Sequence, residues 1–188
     1  MSIRTLPAAR LLNVRLALVF GGTLLMAIGA HLAVNVPFSP VPITGQTLAL
    51  PLVVALLGTR AGVAAMLLYL AEGAVGLPVF APATTPGILA LVGPTAGYLW
   101  AFPVAAYVIG ALFDFGLSRR FAGRAIAVIA GDAVVFGLGA LWLSHFVGID
   151  KAFALGVAPF LIGDGLKVAI AAGAGGGAAR IVPSIFKR

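Results

Sequence analysis

Asp164 and Lys167 lie three residues apart in the string Pro159-Phe160-Leu161-Ile162-Gly163-Asp164-Gly165-Leu166-Lys167, among apolar neighbours. On a helix that spacing puts a carboxylate and an ammonium on one face. Such a pair can hold a polar ligand, or it can lock one helix against its neighbours as a buried ion pair and do nothing else. Gln46, with Thr44 and Thr47 beside it, adds uncharged donors and acceptors suited to an amide-like group, helix capping by Thr44 being the alternative. Glu72 and Asp132 also fall inside apolar stretches. Glu72 could line the same mouth as the pair or point to water; Asp132 could cap, pair with a base, face water or touch a substrate. His31 and His145 stand far apart without a second ligand at metal spacing, so packing or interface roles are expected. The chain has no Cys, two His and five acids, which removes thiolate chemistry, disulfides and Fe–S ligation and leaves little for a protein-built metal cage.

Composition says which elements must hold these groups. Of 188 residues, 62% are apolar and 9% charged, against about 25% charged in a soluble domain. Such a chain cannot clothe a soluble surface. An all-α integral membrane protein is expected, one domain over residues 1–188 with six transmembrane helices at 16–36, 46–57, 61–75, 95–113, 125–147 and 159–181. The basic start before the first span also fits a signal peptide, but an apolar run of this length ahead of a polytopic body favours retention. Pro37, Pro40 and Pro42 make 37–45 a loop. The second span is short and contains Pro51, so it should be kinked, tilted or partly re-entrant. The proline-rich stretch 76–94 is long for so compact a chain, and such loops tend to be functional. Pro159 suits the first turn of the last helix, which sets Asp164 and Lys167 roughly 8–12 Å below its outer end at 1.5 Å per residue.

Arg4, Arg10, Arg15, Arg60, Arg119, Arg120, Arg124, Arg180, Lys187 and Arg188 fall on one side of that layout and Lys151 on the other. The asymmetry predicts that both termini are cytoplasmic and that loops 37–45 and 76–94 face outward. Topology thereby accounts for the net charge of +7, and nucleic-acid binding is not expected. Lys167 remains inside the bilayer, where a base costs roughly 2.5–3.5 kcal/mol on insertion scales and usually marks a site. Asp114-Phe115-Gly116 lacks any companion kinase motif, and the glycines at 173 and 175–177 follow no strand, so neither string carries nucleotide chemistry. Ala17 with Gly21 and Gly29 with Ala33 give the first span small faces for close helix packing.

Four strings then line up in order and at matching separations: Val41-Pro42-Ile43-Thr44-Gly45-Gln46-Thr47-Leu48, Gly76-Leu77-Pro78-Val79-Phe80, Gly93-Pro94-Thr95-Ala96-Gly97-Tyr98, and the segment Pro159 to Lys167 quoted above. The set resembles BioY, the biotin-binding S component of energy-coupling factor (ECF) transporters, from about Arg15 to Lys167. Gly45 and Ala96 depart from the family pattern, Gly45 replacing a bulkier apolar residue and Ala96 a glycine, and neither removes a polar ligand group. The resemblance implies an ECF S-component-like fold in a prokaryotic plasma membrane, with the vitamin held near the outer surface under the loop between the first two spans. It implies Asp164 and Lys167 as the main ligand contacts, with Gln46, Tyr69, Glu72 and Tyr98 as further pocket residues. It also implies partners: a transmembrane coupling subunit, with the small face of the first span as a docking surface, and two cytosolic ATPases that use ATP. No P-loop string occurs in this chain, so no cofactor is expected on it and biotin is its transported ligand.

Biotin suits the residues. Its ureido ring carries two N–H donors and a carbonyl, its body is apolar and its far end is a carboxylate. A nearly neutral Asp164–Lys167 pair favours the ureido ring and leaves the carboxylate nearer the wet mouth, although the reversed orientation also satisfies both groups. The rival reading is a proton-coupled carrier or an intramembrane enzyme using Asp164, Lys167 and Asp132; an enzyme would need a nucleophile or metal, and neither constellation is evident.

Overall fold

The computed structural model describes residues 8–178. Arg4, Arg180, Lys187, Arg188 and the expected end of the last span at residue 181 lie outside the described residues. Within them the chain forms α1 (Ala8–His31), α2 (Gln46–Leu57), α3 (Thr59–Ala74), α4 (Ala96–Asp114), α5 (Phe121–Val147), α6 (Ile149–Gly156) and α7 (Ala158–Ala178), with a two-strand ribbon, β1 (Ala33–Val34) and β2 (Ile43–Thr44), between α1 and α2. Among the described residues four stretches are long and apolar enough to cross a membrane: Leu12–His31, Ala96–Asp114, Phe121–Val147 and Ile149–Ala174. The outside of the bundle is apolar. Leu12, Leu16, Phe20, Leu24 and Ile28 form an exposed stripe at four-residue spacing on α1, and Leu161, Ile162, Leu166 and Ile170 are exposed on α7. In water such a surface would aggregate; against acyl chains it is solvated.

Three departures from the sequence expectations have local causes. The first helix ends at His31 rather than at 36, because Ala33 and Val34 pair antiparallel with Thr44 and Ile43. Gly45 N–H then donates to Gly29 O at 2.8 Å and Leu32 O at 3.0 Å, so the carbonyls of the last turn of α1 are closed by the chain returning from the loop. The second helix is an unbroken 12-residue element despite Pro51. At 1.5 Å per residue it rises only about 18 Å, short of the ~30 Å apolar core. Nine of its residues are buried, from Gln46 to Leu57, so α2 is an internal post that α1, α3, α4 and α7 surround. The third departure is α6, eight residues long, where only a connection was expected; Gly148 at φ 83° stops α5 and starts it, a left-handed conformation that favours glycine.

The most extensive helix contact joins α4 and α5. It is close because small residues sit in it: a Cβ on Gly97 would lie 2.3 Å from Trp142 Cβ and 2.7 Å from Leu138 O. The second of those atoms is backbone and cannot rotate away. Gly97→Leu is therefore expected to push α4 off α5 and to cost about 1–3 kcal/mol or more, as overpacking does, read as a clear fall in the thermal unfolding midpoint of detergent-solubilised protein. An unchanged midpoint would contradict the close packing.

Candidate functional site

Lys167 is a half-buried base on α7 whose ammonium has found three acceptors. It donates to Thr44 O at 2.8 Å and Thr47 Oγ1 at 2.9 Å, and lies 3.3 Å from Asp164 Oδ1. An ammonium has three protons, of which two are committed to these hydrogen bonds. Thr47 closes the triangle by donating to Asp164 Oδ1 at 2.7 Å. A charge pair taken out of water is tolerated only when such added hydrogen bonds satisfy it. The supply comes from the start of α2, where Thr44 ends β2 and Thr47 sits in the first turn. Phe160, Asp164 and Lys167 follow at i, i+4 and i+7, one face of α7, and Phe160 packs on Phe136 of α5 with ring centroids 5.9 Å apart.

This cluster borders a cavity with about 580 Å³ of empty space, open solvent included. Val41, Pro42, Leu99, Phe102, Val135, Phe136 and Phe160 supply its apolar wall, Tyr98 lines it, and Gln46, Thr44, Thr47 and Lys167 gather the hydrogen-bonding groups; Thr84 and Thr95 line it from the 76–95 stretch. Pro51 and Pro103 lie four residues after Thr47 and Leu99 within their helices, so both wall residues have carbonyls without an i+4 donor.

Of the six residues expected from sequence to contact a ligand, Lys167, Gln46 and Tyr98 line the cavity. Asp164 is buried behind Lys167 and Thr47 and supports them. Tyr69 is fully buried and also stands behind the wall. Its hydroxyl accepts from Gln46 Nε2 at 2.9 Å and donates to Val79 O at 3.0 Å, while its ring meets Phe80 edge-on, which fixes the Gln46 amide. Glu72 is not brought to the cavity wall: it accepts from Thr23 of α1 at 3.1 Å and so belongs to the α1–α3 contact. Tyr98 donates to Gly156 O at 2.8 Å, and its ring is seated against Gly139. His31 and His145 are exposed, each with Nδ1 against a carbonyl of its own helix, Ala27 O and Trp142 O, and neither reaches the cavity. Thr44's hydroxyl donates to Gln46 Oε1 at 3.1 Å, so its main side-chain partner is the glutamine. The role of Thr47 was legible in sequence only as proximity to Gln46; its bridge to α7 spans 117 positions, beyond any local pattern.

The sequence profile described as BioY family matches residues 5–184. The chain is 38% identical over 147 residues to the probable biotin transporter BioY of Pyrococcus horikoshii, covering 78% of this chain and 85% of that protein. It is also 38% identical over 151 residues to the biotin transporter BioY of Thermotoga maritima, covering 80% and 86%. Among solved structures, the S-component for biotin from an ECF-type ABC transporter superposes with a TM-score of 0.78 at 24% identity, over 91% of this chain and 93% of the other. That likeness establishes a shared fold.

Thr47→Val keeps the shape and removes the hydroxyl that serves both charges. Hydrogen bonds to charged groups contribute about 1.5–3 kcal/mol, so the variant should lose stability of that order in thermal or denaturant unfolding, while Thr47→Ser stays close to wild type. A valine variant as stable as the parent would show that the triangle does not hold α2 to α7.

Proposed function

The chain belongs to the BioY family, and from that premise we propose that it captures biotin and mediates its uptake as the substrate-binding subunit of an ECF-type transporter. The observation that carries the reading is the Lys167–Thr47–Asp164 triangle at the end of an otherwise apolar cavity. A cavity of that character suits a ligand with one compact hydrogen-bonding head and an apolar body, which is the chemistry of biotin.

The charge arrangement supports a particular orientation. Lys167 is already neutralised by Asp164, so a ligand carboxylate arriving there would have to displace a buried anion. A neutral ureido carbonyl needs only to share the ammonium, while its N–H groups find Gln46 Oε1 and the hydroxyls of Thr44 and Thr47. The valeryl chain then lies along the apolar wall that Phe102, Phe136 and Phe160 supply, and the carboxylate is left toward the wet mouth. Asp164, Lys167, Gln46 and Tyr98 form the working site, with Tyr69 positioning Gln46; Glu72 is assigned to packing on α1.

The membrane layout in this reading has six spans, α6 being a short outer connector. Both termini are cytoplasmic, in a prokaryotic plasma membrane. The single domain works with a transmembrane coupling subunit and two cytosolic ATPases, which use the ATP, and the loaded subunit tilts to present its cavity to the cytoplasm. The chain itself is not an enzyme, in line with relatives that are transporters.

Calorimetric titration of purified protein with biotin, its methyl ester and desthiobiotin tests this. Biotin is expected to bind in the nanomolar range, with the ester and desthiobiotin within about tenfold, since both keep the ureido ring, and Lys167→Ala and Asp164→Asn should each weaken binding by about tenfold or more. No binding of biotin, or unchanged affinity in both variants, would remove the site. Loss confined to the ester would reverse the orientation.

A further inference from the structure

Asp132 is the described residue for which the site so far gives no use. It is buried at 6% exposure, and neither of its carboxyl oxygens has a hydrogen-bond partner among the described residues. Val135 and Phe136, three and four positions later on the same face of α5, line the cavity, so Asp132 stands one helical turn beyond the wall. The elements packed on α5 are α2, α4, α6, α7 and the turn Leu117–Arg119. Phe136 of α5 meets Phe160 of α7 with ring centroids 5.9 Å apart; Asp132 lies four residues before the first and Asp164 four after the second, so along the packed α5 and α7 the two acids come opposite each other one turn from that contact, and α2 brings the uncharged Thr47 to the same cluster.

Two acids against one base leave this cluster with an excess negative charge, in a bilayer interior where unpaired charge is expelled or neutralised. Lys167 cannot supply the balance, because its single charge is already paired with Asp164. On the Asp164 side, Oδ1 takes both of that residue's contacts, and Oδ2 has capacity for another donor.

Building on the reading that the cavity takes a ureido ring, we infer that Asp132 is a positioning residue of the ligand site: Asp132 and Asp164 share one proton, and Asp132 as a neutral acid donates its O–H to Asp164. The proton makes the three-residue cluster neutral overall. It fixes the Asp164 carboxylate, which in turn fixes Thr47 and Lys167 against the ligand. Asp132 does not itself touch biotin, and its effect passes through α7. Asparagine can stand in for it, since an amide N–H also donates, whereas alanine cannot.

The test uses the full chain in lipid nanodiscs, with biotin affinity measured by calorimetry near pH 7 for wild type, Asp132→Asn and Asp132→Ala. Expected are asparagine within about threefold of wild type and alanine weaker by about tenfold or more. Alanine binding as wild type does, or asparagine weakened as strongly as alanine, would each overturn the inference. If the alanine variant does not give a folded protein, asparagine weakened by about tenfold or more overturns it and asparagine close to wild type supports it. Wild type that binds no biotin would instead overturn the reading on which the inference rests.

Discussion

The site depends on an ammonium that has been taken out of water and compensated by the protein on three sides. Lys167 is held by a backbone carbonyl, a hydroxyl and a carboxylate, and the first two come from the start of α2. A base on α7 therefore determines where α2 begins. The ribbon β1–β2 and the double acceptance of Gly45 N–H by Gly29 and Leu32 bring the chain back over the end of α1 to deliver Thr44 and Thr47 at that point. An α1 that ran on to residue 36 would leave no returning chain to do so. The short length of α2 has the same origin: its first turn is needed inside the protein, beside a charge, rather than at the surface.

The apolar part of the cavity is arranged by close approach. Tyr98 keeps its place because Gly139 leaves room for the ring and Gly156 both clears and accepts its hydroxyl. A Cβ on Gly156 would meet that oxygen at 2.3 Å. The carbonyl of the preceding residue, Leu155, accepts from Ser39 Oγ at 2.7 Å. Two adjacent carbonyls at the end of α6 therefore tie down one cavity wall and the loop that contributes Val41 and Pro42 to another. An eight-residue helix does this because it has few other obligations: Ile149 and Phe153 remain exposed, while Gly156 at its end is buried.

Much of this was legible in the sequence, and the failures share a cause. Apolar runs and prolines located most of the long helices to within a few residues, α1 excepted, which begins eight residues before its apolar run and ends five before the run does; the i, i+3 spacing of Asp164 and Lys167 identified the pair, because helical periodicity is a local property. What lay outside reach was long-range. Thr47 could not be assigned its bridge to Asp164, nor Tyr69 its place behind Gln46, nor Glu72 its partner Thr23, since these depend on which helices become neighbours. α6 escaped notice because eight residues give barely two turns of pattern. The early end of α1 was hidden by Val34 and Val36, whose apolarity reads equally well as a continued span or as a strand.

The central claim is that the Lys167 end of the cavity reads a neutral ureido group and not an anion. Infrared difference spectroscopy on biotin labelled with ¹³C at the ureido carbonyl measures this directly. The account predicts that binding to wild type moves the ureido stretch to lower frequency, as a charge-assisted hydrogen bond weakens the C=O bond, that Lys167→Met removes the shift, and that the carboxylate bands change little. A ureido band unchanged on binding, with the carboxylate bands responding to Lys167 instead, would contradict it.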